Sequence, residues 1–187
     1  MSTLKHVKKT QHNVIRIFLS STFQDMGYER DYLNKVILPE VRSLARQRGV
    51  TLIAIDLRWG VTEDEVNQGD VISICLENID RCKPFFMGFL GERYGWIPTK
   101  KDVRYYKHLT KRFPVTKIGL KQGLSITEME ILHGVLQSKS DIKASFYQRT
   151  LTLTRQLAQD KDQSIYFILR PCFKPIFVTG KRLVRCL

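Results

Sequence analysis

Short β-branched runs alternate with longer stretches of helical periodicity along this chain, and that alternation constrains its fold most, because it is the pattern of an open α/β sheet. Residues 14–20 (VIRIFLS), 51–56 (TLIAID) and 84–90 (PFFMGFL) read as strands. The third is almost wholly apolar, as a central parallel strand covered on both faces requires. Two periodic segments lie between them. Residues 26–48 carry Leu33, Val36, Ile37, Val41, Leu44 and Ala45 on one stripe, and residues 70–82 carry Val71, Ile74, Cys75 and Ile79. Pro39 interrupts the first, at a cost of about 3 kcal/mol in a helix interior. A kink or two shorter helices are therefore expected there, with Gly49 as the C-terminal stop.

Residues 125–137 read as a third helix, opened by the capping box Ser125-Ile126-Thr127-Glu128. A fourth strand at 144–147, a helix at 151–159 and a fifth strand at 165–169 complete the series; residues 172–187 carry no clear pattern. Right-handed crossovers between these units predict an α/β fold of three layers, with a mostly parallel, flavodoxin-like sheet in the order 2-1-3-4-5.

The 187 residues suit one domain, and their net charge of +13 raises the question of a polyanionic partner. The charge is unevenly spread. Residues 13–98 hold 10 basic and 12 acidic residues, whereas residues 99–122 hold 8 basic residues and a single acid, Asp102. The expected organisation is a basic tail over 1–13, an α/β domain over 14–169 with a basic loop-like insertion at 99–122, and a basic tail over 170–187. No apolar run approaches the roughly 18–20 residues of a membrane span. The N-terminal lysines lack the apolar stretch of a secretory signal. A cytoplasmic chain without membrane contact is expected.

Four cysteines show no zinc spacing, and Cys75 and Cys82, seven apart, share the apolar face of one helix. No metal and no cofactor are expected. The phosphate-binding G-x-x-x-x-G-K-[ST] loop, the dinucleotide G-x-G-x-x-G, H-E-x-x-H and G-x-S-x-G are all missing from the sequence. Of the histidines, His133 sits beside the apolar stripe of the third helix, where packing is its expected role.

Ligands of open α/β sheets bind at the carboxyl ends of the strands. Here those ends lead into Ser20, Ser21, Thr22 and Asp25; into Asp56, Arg58 and Trp59; and into Arg93, Tyr94 and Trp96. Hydroxyls, arginines, an acid and aromatics on one rim suit a nucleotide, another anion or a protein partner. Each residue also has a structural alternative: Asp25 as a helix cap, Asp56 and Arg58 as partners of neighbouring charges, Trp59 and Trp96 as lids on the sheet edge. At about 100° per residue, the stripe of Ile131, Leu132, Val135 and Leu136 includes Glu128 and leaves Glu130 on the opposite side. In the insertion, Lys100, Lys101, Arg104, Lys111 and Arg112 interleave with Tyr105, Tyr106 and Phe113, a mixture that neutralises phosphates and stacks bases. No recognised RNA-binding motif accompanies it, so RNA ranks low among the partners.

Four motifs occur in a fixed order: R-I-F-L-S-S-T-F-Q-D at 16–25 with Glu29-Arg30-Asp31, D-L-R-W-G-V-T-E at 56–63, L-G-E-R-Y-G-W at 90–96, and T-E-M-E at 127–130. Together, over about residues 14–149, they resemble the TIR-like domain near the N-terminus of large NACHT proteins that carry WD40 or tetratricopeptide repeats. The resemblance implies a TIR-like, flavodoxin-like fold and the setting of a regulatory, signalling-type NTPase. The chain would then be a fragment or truncated product, with protein partners or adjacent NACHT and repeat domains. In relatives of this fold that cleave N-glycosidic bonds, a Glu on the corresponding helix acts, and the pattern Thr127-x-x-Glu130 points to Glu130, against the helical projection. Three readings follow. A non-catalytic interaction or assembly module ranks first. A nucleotide N-glycosidase of NAD type, using Glu130 or Glu128 with Ser21, Asp56 and Arg58, is second. RNA binding through the insertion is third.

Overall fold

The computed structural model describes residues 13–22, 26–57, 71–103, 106–150, 152, 173–179 and 182–185. Strands β1 (Asn13–Ser21), β2 (Val50–Ile55), β3 (Phe85–Leu90) and β4 (Lys143–Arg149) stand in the order 2-1-3-4, every pair parallel. Two further strands, β5 (Phe173–Thr179) and β6 (Arg182–Arg185), extend the sheet beyond β4 as antiparallel neighbours. The described residues of the C-terminal stretch read as patternless, 173–179 and 182–185, are thus strands. The place beside β4 expected for a parallel strand at 165–169 is taken by β5. Residues 165–169, and all but Thr152 of the helix expected at 151–159, lie outside the described residues.

Side chains alternate across the sheet and build a core on each face. Phe18 of β1, Phe86 of β3 and Phe146 of β4 meet on one face, with neighbouring ring centroids 5.8 Å apart. Onto them pack α3 (Val71–Cys82), through Ile72, Cys75, Leu76 and Ile79, and α6 (Ile126–Ile131), through Met129. Leu19 and Phe89 point the other way and receive Met26, Leu33 and Leu38 from the first helical segment. Helices therefore cover both faces, as the crossover rule predicts.

That first segment is three pieces: α1 (Gly27–Tyr32), a π-helical turn (Leu33–Ile37) and α2 (Leu38–Gln47). Pro39 sits in the first turn of α2, and the widened turn before it accommodates the proline. The Leu38 amide bonds the Leu33 carbonyl, five residues back. Gly49 follows α2 with a positive φ of 69°, the left-handed conformation that ends helices.

The basic insertion is helical, which corrects the loop reading. It comprises a 3₁₀ turn (Lys100–Asp102), α4 (Tyr106–Arg112) and α5 (Pro114–Gln122). Its apolar residues are few but spaced for burial: Val103, Leu109, Phe113 and Val115 all join the core. Dense lysines masked that spacing. The two helices are too short to show a full period on their own.

Candidate functional site

In the order 2-1-3-4 the chain leaves β1 to one side and returns to the other, so the switch point lies between β1 and β3. A cavity of about 590 Å³ opens near the carboxyl ends of these two strands, where open α/β sheets bind ligands. Ser21 and Thr22 after β1, Arg93 to Ile97 after β3, Val71 and Cys75 of α3, and Ile126, Thr127 and Glu130 of α6 line it. Gly95 makes the turn in this wall at φ 98°, and a side chain there would press on Thr22 and Thr127.

Glu130 is 4% exposed and occupies the inner end of the cavity. The Ser20 hydroxyl donates to its Oε2 at 2.5 Å. Burial pushes the Glu130 carboxyl above its ordinary range, against the hydrogen bonds from Ser20 and Cys75 and the positive charge of Arg30. Burial and the neighbouring Glu130 hold the Cys75 thiol well above its ordinary value. It is therefore a protonated packing group, not a nucleophile.

Glu128 stands on the side the helical projection gives it, with Ile131, Leu132 and Leu136, but that side of the helix is only half-buried. Its amide donates to the Ser125 hydroxyl at 3.2 Å, completing the expected cap. Its carboxylate accepts from the exposed Tyr94 hydroxyl, beside a smaller hollow of about 290 Å³. Beyond the two glutamates, α6 runs into a π-helical turn (Leu132–Leu136), closed by the Gln137 amide on the Leu132 carbonyl. The side of this segment turned to the core carries Met129, Glu130, Gly134 and Val135, all four buried, so the expectation fails at which side is buried. Of the two candidate carboxylates, the structure brings Glu130 into the cavity.

Asp56 is not among the cavity-lining residues. Its Oδ1 pairs with Arg30 Nη1 at 3.2 Å, and its Oδ2 accepts from Asn34 at 3.0 Å. Arg30, fully buried, also donates from Nη2 to the Leu19 carbonyl at 2.6 Å. Next to it, buried Glu29 accepts from Arg149 Nε at 2.6 Å. These pairs tie α1 to β1, to the end of β2 and to β4. Charge on a short helix reads as solvated surface, so sequence reasoning assigned Glu29 and Arg30 no role; their place in the first motif was the available signal.

Among the other rim residues, Tyr94 and Trp96 are each 51% exposed and Ile97 44%, giving the cavity an apolar, aromatic border. Asp25, Arg58 and Trp59 lie outside the described residues, as does Arg104 of the insertion. Lys100 and Lys101 stand exposed on the 3₁₀ turn and Lys111 on α4, while Arg112 is held by Glu77 at 2.6 Å. Phe113 is 2% exposed, so it has no face on which to stack a base, contrary to the expectation. His133 packs edge-on against Phe113 and reaches Asp80 at 2.9 Å, the packing role expected of it. Among the described residues, no group of three His, Cys, Asp or Glu side chains could hold a metal ion. None of their helices is long and apolar enough to cross a membrane.

Residues 16–166 match the family described as Domain of unknown function (DUF4062). The chain is 40% identical over 120 residues to telomerase protein component 1 of Rattus norvegicus, across 63% of this chain and 4% of that protein. It is 33% identical over 160 residues to a TPR repeat-containing protein of Dictyostelium discoideum, across 81% of this chain and 9% of that protein. To NACHT and WD repeat domain-containing protein 2 of Homo sapiens it is 34% identical over 95 residues, across 48% of this chain and 6% of that protein. The chain thus spans less than a tenth of the length of each of these relatives. No solved structure matches it.

Proposed function

Because this chain belongs to the DUF4062 family, whose matches here include NACHT, WD-repeat and TPR proteins, we propose that it is a non-catalytic interaction and assembly module of a NACHT-type regulatory NTPase. The observation that carries the reading is the border formed by Tyr94, Trp96 and Ile97, three large side chains about half exposed within four positions. Clustered exposed apolar surface marks contact sites, and aromatic residues supply most of the energy at such contacts. Glu130 is meanwhile engaged by Ser20 and Cys75, and Asp56 is committed to Arg30. Two of the polar groups suited to substrate handling are thus occupied in holding the fold.

The partner proposed is an adjacent NACHT or repeat segment. Hydrogen exchange of the chain, alone and mixed with the NACHT segment of the human relative, tests this. Slowed exchange at residues 93–97 supports the reading, and unchanged exchange there contradicts it.

A second reading rests on the position of Glu130 inside a cavity at the switch point. A carboxyl there suits nucleotide N-glycosidase chemistry, in which it would meet the sugar of an NAD-type substrate. Incubation with NAD and nucleosides, beside Glu130→Ala, separates the two. Release of free base by the wild-type chain and not by the variant favours the enzyme.

A further inference from the structure

The aromatic rim is bordered by positive charge. Residues 93–101 contain Arg93, Lys100 and Lys101 and no acid, and all three side chains are exposed. In space this stretch abuts the C-terminal end of α5. The Ile126 amide, just beyond that helix, donates to the Trp96 carbonyl at 3.0 Å. A Cβ on Gly123 would stand 3.9 Å from the Ile97 side chain. Lys121, two residues before Gly123, is exposed in the last turn of α5. One helical turn earlier Lys117 and Ile118 are exposed as well, while Val115, Thr116 and Gly119 are turned to the core.

These cations are not spent inside the fold. Lys117 and Lys121 form no ion pair among the described residues, unlike Arg112, which Glu77 holds. Glu128, the acid beside Tyr94, is engaged by the Tyr94 hydroxyl. The surface thus has an apolar centre and a cationic border. Apolar side chains of a partner gain at the centre, and a border of one sign selects the sign of what approaches it. Trp96 would also stack a base. Ile97 and Ile118, however, gain only from apolar groups, which a protein segment supplies and a phosphate backbone does not.

We propose that the partner of this rim is an acidic, amphipathic protein segment, its apolar side chains against Trp96 and Ile97 and its carboxylates against Lys100, Lys101 and Lys121. The proposal rests on the docking reading of the rim and gives the partner its chemistry.

The probe is a labelled helical peptide of about 16 residues, with leucines along one face and glutamates flanking them. Its counterparts carry glutamine or lysine for glutamate, or serine for leucine. The full chain is titrated by fluorescence anisotropy at about pH 7, where glutamate is ionised. The acidic peptide should bind at least about tenfold tighter than each counterpart and lose affinity as salt rises. In a chain carrying Lys100→Glu, Lys101→Glu and Lys121→Glu together, the order should reverse, with the lysine peptide binding tightest. Trp96→Ser should weaken the acidic peptide by about tenfold. All four substituted side chains are exposed, and thermal unfolding of each variant checks that the fold is kept.

Equal binding of the glutamine peptide, weakened by Trp96→Ser, overturns the acidic partner and leaves the rim a docking surface. Binding of the acidic peptide indifferent to Trp96→Ser overturns both readings. Absence of acidic-peptide binding, or an order that does not reverse, overturns the proposal. So does tighter binding of an oligouridylate or of phosphatidylserine vesicles, abolished by the same charge reversal.

Discussion

Ser20, at the end of β1, donates a 2.5 Å hydrogen bond to Glu130, 110 positions further along the chain, and so joins the switch point of the sheet to α6. The bond is buried at both ends, and it fixes which carboxylate of Thr127-Glu-Met-Glu130 faces inward. Several consequences can be measured.

The Glu130 carboxyl is raised above its ordinary value of 4.5 by burial. A group held protonated in the fold contributes stability that is complete below its unfolded pKa and is lost as pH rises through the folded one. The contribution of Glu130 to stability should therefore fall as pH rises above 4.5, and Glu130→Gln should remove that contribution. Urea unfolding across this range checks it: parallel pH profiles for the two proteins would show that folding leaves the Glu130 carboxyl unshifted.

Removing the Asp56 carboxylate leaves Arg30 buried without its counter-charge; the two side chains are 1% and 5% exposed. Asp56→Ala should cost about 3–5 kcal/mol, read from urea denaturation. A loss of under about 1 kcal/mol, as for a surface ion pair, would place Asp56 at the rim as a ligand group instead.

Gly88 of β3 lies against the Phe146 ring, and Gly119 of α5 against the Met129 side chain, each too close for a methyl group to enter without a shift. The ring is rigid and the thioether adaptable. Gly88→Ala should cost about 1–3 kcal/mol, and Gly119→Ala less; urea midpoints of the two variants give the ranking.

The strand pattern made the fold class legible, since β1 to β4 fall within two residues of their expected places. It was legible because alternating burial writes itself into apolar runs such as PFFMGFL. What was lost has equally physical causes. Which side of α6 is turned to the core depends on its packing against β1, α3 and α5, which composition does not mark, and this decides that Glu130 and not Glu128 is buried. Helices α4 and α5 bury one residue in three or four under a surface of lysines, so they read as a loop. The buried pairs Arg30–Asp56 and Glu29–Arg149 required knowing which strand ends meet.

Lys107 and Lys111 on α4, and Lys117 and Lys121 on α5, are exposed at four-residue spacing. Changing all four to Gln should leave stability within about 0.5 kcal/mol. If the insertion contacts RNA, the same change should lower affinity and reduce its salt dependence. Electrophoretic titration at two salt concentrations measures both, and an unchanged slope removes these helices from RNA binding.

The proposed role requires the rim of Tyr94, Trp96 and Ile97 to be a docking surface. Calorimetric titration of the chain with the NACHT segment of the human relative, beside Trp96→Ser and Ile97→Ser, tests it directly. The prediction is saturable binding that each substitution weakens by about tenfold with the unfolding midpoint preserved. Binding of equal strength in the wild type and both variants, or none by the wild type, would contradict it.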